Sequence, residues 1–287
     1  MAISLKTDAA KGYALSAPAT LYVGMLVAVP LILMVANSFW TQEYITIDRT
    51  FSLANYHEAF NDPLIRLLLV RSVFIAGCVT LLTVLLAYPI AYYIAFKTQR
   101  KALWLILVTI PFWSSYLLRV FAWKLILGYN GVLNSGLLYA GLIEEPLSFI
   151  LYNPNAVVLT LAHAWAPFAI LPIYVSLQKI DPSLLEAATD LGCGPLARFW
   201  RVTFPLSMPG VIAASLIIFI PTVGDYVTPA LVGGADGKMI ANMIQVQFGP
   251  ANNWPLGATL SIVTMLVVMV VAVVYVLSMR RAGNAIR

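Results

Sequence analysis

The chain has 287 residues, 61% of them apolar and only 10% charged, and its mean hydropathy is +0.88. Soluble domains carry roughly 25% charged residues, and one core of this size cannot hide so much apolar surface from water, so the composition calls for a bilayer. The net charge of +5 fits a membrane protein with its cations gathered near one face, and gives no reason to invoke nucleic acid.

A helix crossing about 30 Å of hydrocarbon needs about 20 mostly apolar residues. Six segments qualify: 19–39, 73–96, 103–127, 156–177, 209–232 and 255–279. The expected fold is therefore all-α and integral to the membrane, with six transmembrane helices spanning 19–279.

The first run follows Lys6 and Lys11, as a signal peptide would. It is longer than the usual h-region of about 7–15 residues and no clear small-residue cleavage site follows before Phe39, so a retained helix is expected. Residues 1–18 then form an N-terminal tail. The third run is the least clean, because Arg119 and Lys124 lie towards its end; both can snorkel if that end is at the surface. Residues 128–153 are too polar and too broken by Gly and Pro to cross, and 131–142 predicts a short amphipathic helix at the outer surface. The sixth run is the cleanest, with no charge from Leu256 to Met279, and leads to a tail at 280–287.

Pro89, Pro111, Pro167, Pro172, Pro221 and Pro229 lie in or near these runs. Each removes a backbone hydrogen bond that neighbours or water must replace. One such proline is ordinary in a membrane helix, whereas six together favour a transporter with broken helices lining a cavity.

Cation placement sets the orientation. The N-terminus, 97–102, 178–208 and the C-terminus hold eleven Lys and Arg: Lys6, Lys11, Lys97, Arg100, Lys101, Lys179, Arg198, Arg201, Arg280, Arg281 and Arg287. The opposite loops hold four, Arg49, Arg66, Arg71 and Lys238, and are rich in Asp and Glu. Both termini are expected in the cytoplasm.

The 178–208 loop carries the strongest local pattern. Asp181 or Ser183 can cap a helix that Pro182 starts, and Leu184, Leu185, Ala188 and Leu191 make one apolar stripe. Gly192 and Gly194 end it as a left-handed cap requires. Pro195 opens a second short helix over 196–202, with Phe199 and Trp200 exposed beside Arg198 and Arg201, and Pro205 and Pro209 stop it. Such a hairpin reads either as a docking knob or as a surface element tucked against headgroups.

Glu186-Ala187-Ala188, then Gly192, then Val202-Thr203-Phe204-Pro205 resembles the E-A-A-x3-G-x9-I-x-L-P signature of ABC importer permeases, with Val202 for Ile and Phe204 for Leu. The resemblance runs over essentially the whole chain and is nearest the spermidine/putrescine permease family. Pro111 to Arg119, Val223 to Gly234 and Gln247 to Gly257 carry it further, less specifically. It implies a type I importer permease in a bacterial inner membrane, forming half of a pore for a small cationic solute, a polyamine such as spermidine or putrescine. Glu186, Ala187, Ala188, Gly192 and Pro205 would then form the loop that seats in a separate ATPase. It also implies a second homologous permease, an ATPase dimer and a periplasmic solute-binding protein. An opine or amino-acid-like solute is the alternative within this class, and a secondary transporter the more distant one.

Asp225 is the one acidic residue well inside an apolar run, about 16 residues into the fifth. An intramembrane carboxylate is costly unless paired or hydrated. With Tyr226 it can cage an ammonium through charge and cation–π contacts, or it forms a structural ion pair with Arg119 or Lys124. Trp113 and Tyr116, three apart, are expected on one helical face, either lining the path or in an interfacial belt. His163 reads as a hydrogen-bonded helix contact or a proton relay. The chain shows no phosphate-binding loop (Gly233-Gly-Ala-Asp-Gly-Lys-Met lacks the spacing), no metal-ligand cluster and no nucleophile with an evident base. Cys78 and Cys193 lie in different segments and suggest no disulfide or redox pair. An enzyme and a cofactor are therefore not expected.

Overall fold

A computed structural model describes residues 8–44, 46–150 and 152–285. Lys6 and Arg287, two of the cations that set the expected orientation, lie outside the described residues. The described residues are mostly helical. In order, the elements are α1 (Asp8–Ser38), the strands β1 (Thr41–Glu43) and β2 (Thr46–Asp48), α2 (Ala54–Asn61) and α3 (Pro63–Phe96). Then come α4 (Lys101–Thr109), a 3-10 turn (Ile110–Trp113), α5 (Tyr116–Leu127), α6 (Val132–Tyr139) and a second 3-10 turn (Ser148–Ile150). After α7 (Pro154–Gln178) follow α8 (Pro182–Asp190), α9 (Pro195–Arg198), a π-helical turn (Phe199–Thr203) and α10 (Phe204–Val223). The chain ends with α11 (Val227–Val232), α12 (Ile240–Phe248) and α13 (Trp254–Ala285).

The residues fall into two compact units. One comprises the chain up to Asp62 and Val246–Val263. In it α1 is apolar and exposed along its length, from Leu21 to Leu33 without interruption. Its C-terminal end is fixed by Thr259, whose hydroxyl donates to the Ser38 carbonyl at 3.0 Å. The antiparallel β1–β2 pair is held by Gln42, whose amide donates to the Tyr44 and Asn252 carbonyls while its oxygen accepts from the Trp254 N–H.

The second unit, Pro63–Gln245 with the residues from Thr264 on, holds the core. Helices α3, α7 and α10 pack on one another through Ile75, Val79, Ile94, Leu161, Ile173, Ala214 and Ile218, all essentially buried. Lipid is as apolar as these side chains, so close backbone approach is what favours association. Gly210 provides it: a Cβ there would lie 2.5 Å from the Ser176 Cβ and 2.6 Å from the Pro172 carbonyl oxygen. Two polar ties add direction: Tyr88 shares a 2.7 Å hydrogen bond with Ser207, and the Ile240 N–H donates to Ser72 Oγ at 2.7 Å.

Among the described residues five helices are long and apolar enough to cross a membrane, and there are six if the pair Lys101–Trp113 and Tyr116–Tyr139, bent by 87°, counts as one span. That pair is the expected third span, 103–127, which is not continuous. Pro111 withholds one intrahelical hydrogen bond and tightens the chain into the 3-10 turn. Ser114 (ψ 148°) and Ser115 (ψ 138°) are then extended, and α5 sets off in a new direction.

The fifth span also departs from expectation at both ends. Pro205 and Pro209 do not stop the preceding helix; Pro195–Val223 is helical throughout. The π-helical turn at Phe199–Thr203 widens the ladder where Pro205 would otherwise meet the carbonyl four residues back. At the far end α10 stops at Val223, and Gly224–Tyr226 separate it from α11 instead of continuing to Val232. The short helix expected over 131–142 is α6.

Candidate functional site

Two groups of side chains carry chemistry. The first is the hairpin after α7. The Asp181 carboxylate accepts the Ser183 N–H at 2.9 Å, capping α8 behind Pro182. That bond favours the charged form and holds the carboxyl below its usual range. At the other end Gly192 has φ +81°. The Cys193 N–H reaches the Ala188 carbonyl at 3.0 Å and the Gly192 N–H reaches that of Thr189 at 2.9 Å. This is the double bond pattern of a Schellman cap, which needs a left-handed residue and so favours glycine. Arg198 donates to Thr189 Oγ1 at 3.0 Å and locks the two arms together.

The expected apolar stripe is divided. Ala188 is buried and Leu185 half-buried against the core, whereas Glu186, Ala187 and Leu184 are exposed. Leu191 at the turn, Leu196 in α9 and Trp200 beyond it are 85%, 72% and 54% exposed, so apolar side chains stand open along the hairpin. Phe199 does not join them. It is half-buried, with its ring edge-on to Tyr88 at 5.5 Å, so the expectation of exposure there is corrected. Pro205 is buried.

The second group gathers where the third and fifth spans break. Asp225 lies not within a helix but between α10 and α11. Its Oδ1 accepts from the N–H of Val227 at 2.9 Å and of Thr228 at 3.4 Å, capping α11. Its Oδ2 accepts from the Tyr116 hydroxyl, which also bonds Thr228 Oγ1 at 2.6 Å. Among the described residues Asp225 forms no ion pair with Arg119 or Lys124. Arg119 instead lies 6.0 Å from the Tyr116 ring centroid and 5.8 Å from that of Phe112, and donates to the Ala164 carbonyl at 3.2 Å. Tyr116 thus stands between the cation and the carboxylate.

Trp113 and Tyr116 do not share a helical face. The extended Ser114–Ser115 pair parts them, leaving Trp113 81% exposed and Tyr116 half-buried. Tyr226 follows Asp225 and is exposed, with its carbonyl accepting from Asn242 at 2.8 Å. His163 is a helix contact: the Trp123 N–H donates to its Nδ1 at 3.1 Å. Thr228, Asn242 and the Arg119–Phe112 pair belong to this cluster and were missed. An Asp after a glycine, with Thr three residues on, is a capping pattern that the reading of Asp225 as a mid-helix charge passed over.

With the geometry in place, similarity to other proteins is informative. The family model described as "Binding-protein-dependent transport system inner membrane component" matches residues 15–284. The spermidine/putrescine transport system permease protein PotB of Escherichia coli (strain K12) is 36% identical over 253 residues, 88% of this chain and 91% of that one. The inner membrane ABC transporter permease protein YdcU of the same strain is 34% identical, over 83% of this chain and 80% of its own. A crystal structure of a bacterial ABC transporter involved in the import of the acidic polysaccharide alginate superposes with a TM-score of 0.70, covering 94% of both chains at 16% identity. At that identity the likeness is one of fold.

Proposed function

The chain belongs to the family of binding-protein-dependent transport system inner membrane components, and on that premise we propose that it carries a polyamine such as spermidine or putrescine. It is a multi-pass permease subunit of an ABC importer. The observation that carries the solute reading is the 36% identity, over 88% of the chain, to a permease of spermidine/putrescine transport. The carboxylate of Asp225, beside the rings of Tyr116 and Tyr226, is the chemistry that would receive an ammonium, by charge and by cation–π contact. Trp113, parted from Tyr116 by the extended Ser114–Ser115 pair, does not join this lining.

In this reading the hairpin of α8 and α9, within 178–208, faces the cytoplasm together with the tails at 1–18 and 280–287. Its tip seats in an ATPase dimer, with Glu186, Ala187, Ala188 and Gly192 forming the contact and Pro205 the root of the lever. A second permease completes the pore and a periplasmic protein delivers the solute. The chain performs no catalysis of its own; ATP hydrolysis belongs to the partner. A hairpin with apolar side chains facing water along it, rigidly capped at both ends, is suited to transmit force from such a partner.

The test is uptake of labelled spermidine and putrescine into proteoliposomes holding the full importer, with an opine in a parallel arm. ATP-dependent polyamine uptake supports the proposal. Uptake of the opine alone overturns the solute, and uptake driven by a proton or sodium gradient without the ATPase overturns the mechanism.

A further inference from the structure

The aromatic side chains at the root of the hairpin form one connected group. Phe199 opens the π-helical turn and sets its ring edge-on to Tyr88 of α3 at 5.5 Å and to Tyr92, one turn further along α3, at 6.5 Å. Phe204, at the start of α10, lies 6.0 Å from both Tyr88 and Phe199. Trp200 joins the group 5.1 Å from Phe199 and 5.2 Å from Phe204. Tyr88 is buried, and its hydroxyl is committed to Ser207 of α10 at 2.7 Å. One side chain of α3 thus holds the turn by its ring and α10 by its hydroxyl.

The backbone gives α3 no such tie. The hairpin continues from α7 and runs into α10, whereas α4, α5, α6 and α7 all intervene between it and α3 along the chain. A displacement of the hairpin reaches α7 and α10 through the chain, and reaches α3 only through side chains. The apolar contacts of α3 with its neighbours are non-directional. Edge-to-face rings and a buried hydroxyl pair have preferred geometries and add the missing direction. A π-helical turn is a rare departure from the α-helical ladder, frequent at functional sites, and here the rings of Phe199, Trp200 and Phe204 brace it.

We propose that Tyr88 is a positioning residue of the transport cycle. Through its ring on Phe199 and its hydroxyl on Ser207 it makes α3 follow the hairpin, so that the hairpin, α3 and α10 are displaced as one piece when the ATPase moves. The inference rests on the reading of the hairpin as the ATPase contact.

The full importer in proteoliposomes, with its solute-binding protein, is assayed for labelled spermidine taken up per ATP hydrolysed and for stimulation of hydrolysis by the binding protein. Tyr88→Leu should retain the ATPase subunits and the unstimulated rate of hydrolysis. Both coupled quantities should fall about fivefold, within the range that single residues on a coupling route command. Tyr88→Phe, which keeps the ring, should lose less. In a chain freed of Cys78 and Cys193, Tyr92→Cys with Phe199→Cys should be uncoupled as free thiols. Joining the two with a short bifunctional thiol reagent should restore coupling, because a covalent tie replaces the lost ring contact; a ring that served stability alone would not be rescued in this way. Full coupling in Tyr88→Leu, or a cross-link that leaves coupling low, would overturn the proposal, and the cross-link decides if the leucine variant fails to assemble. A photoreactive group attached at Leu191→Cys that labels no ATPase subunit would instead sink the docking reading on which the inference rests.

Discussion

The hydroxyl of Tyr116 donates to the carboxylate of Asp225 across 109 positions of sequence, so the break in the third span and the break in the fifth are tied directly to each other. At the second break the same carboxylate also accepts the N–H groups of Val227 and Thr228, so Asp225 caps α11 and holds Tyr116 at once. Charge and structure coincide at this point, which makes it the most informative place to perturb.

Asp225→Asn keeps an oxygen to accept from the Val227 N–H and removes the charge. Polyamine uptake by the assembled importer should fall about tenfold in kcat/KM, the equivalent of about 1.4 kcal/mol. Tyr116→Phe, which frees one acceptor of Asp225 and keeps the ring, should cost less. Full uptake by the asparagine variant would remove Asp225 from the path.

Gly192→Val places a β-branched residue at φ +81°, where L side chains are strained by about 1–2 kcal/mol. The hairpin should lose its Schellman cap and retain the ATPase subunits poorly. Co-purification of the complex measures this; Gly192→Asn, which tolerates the left-handed region better, should bind more strongly than the valine variant.

Gly210→Leu forces side-chain atoms into the backbone of α7, beginning with a Cβ 2.5 Å from Ser176. The core triple of α3, α7 and α10 should lose about 1–3 kcal/mol or more, read as a lower unfolding temperature in detergent. Gly77→Ala, where a Cβ meets open space, should leave the temperature unchanged.

The Asp181 cap predicts a pH dependence confined to the hairpin. Its folded carboxyl titrates below the ordinary value because the charged form accepts the Ser183 N–H. Its stabilisation is therefore complete above the ordinary aspartate range and is lost as pH falls through the lower, folded value. Hydrogen exchange in α8 should accelerate on acidification in the unsubstituted protein. Asp181→Ala should exchange faster at neutral pH, with a flatter response to acid.

Most of the architecture was legible without coordinates because hydropathy and capping are local properties. Asp181, Pro182 and Gly192 act within a few residues of themselves, and α8 begins and ends where they place it. Trp113 and Tyr116 misled because a three-residue spacing implies one face only if the helix continues, and Ser114–Ser115 do not continue it. Phe199 misled similarly: next to two arginines it reads as exposed, yet it sits against Tyr88, a residue more than one hundred positions away.

The sequence by itself determined the solvent this protein lives in, the number of apolar runs and the capped hairpin that follows α7. Each of these follows from composition or from residues close together along the chain. Only the tertiary structure decided where helices break and which breaks meet. A proline or serine in a span makes a break inexpensive without requiring one. Whether it occurs depends on what the tertiary structure offers at that point: a side-chain tie between the two breaks, as Tyr116 makes to Asp225, or a widened ladder, as ahead of Pro205.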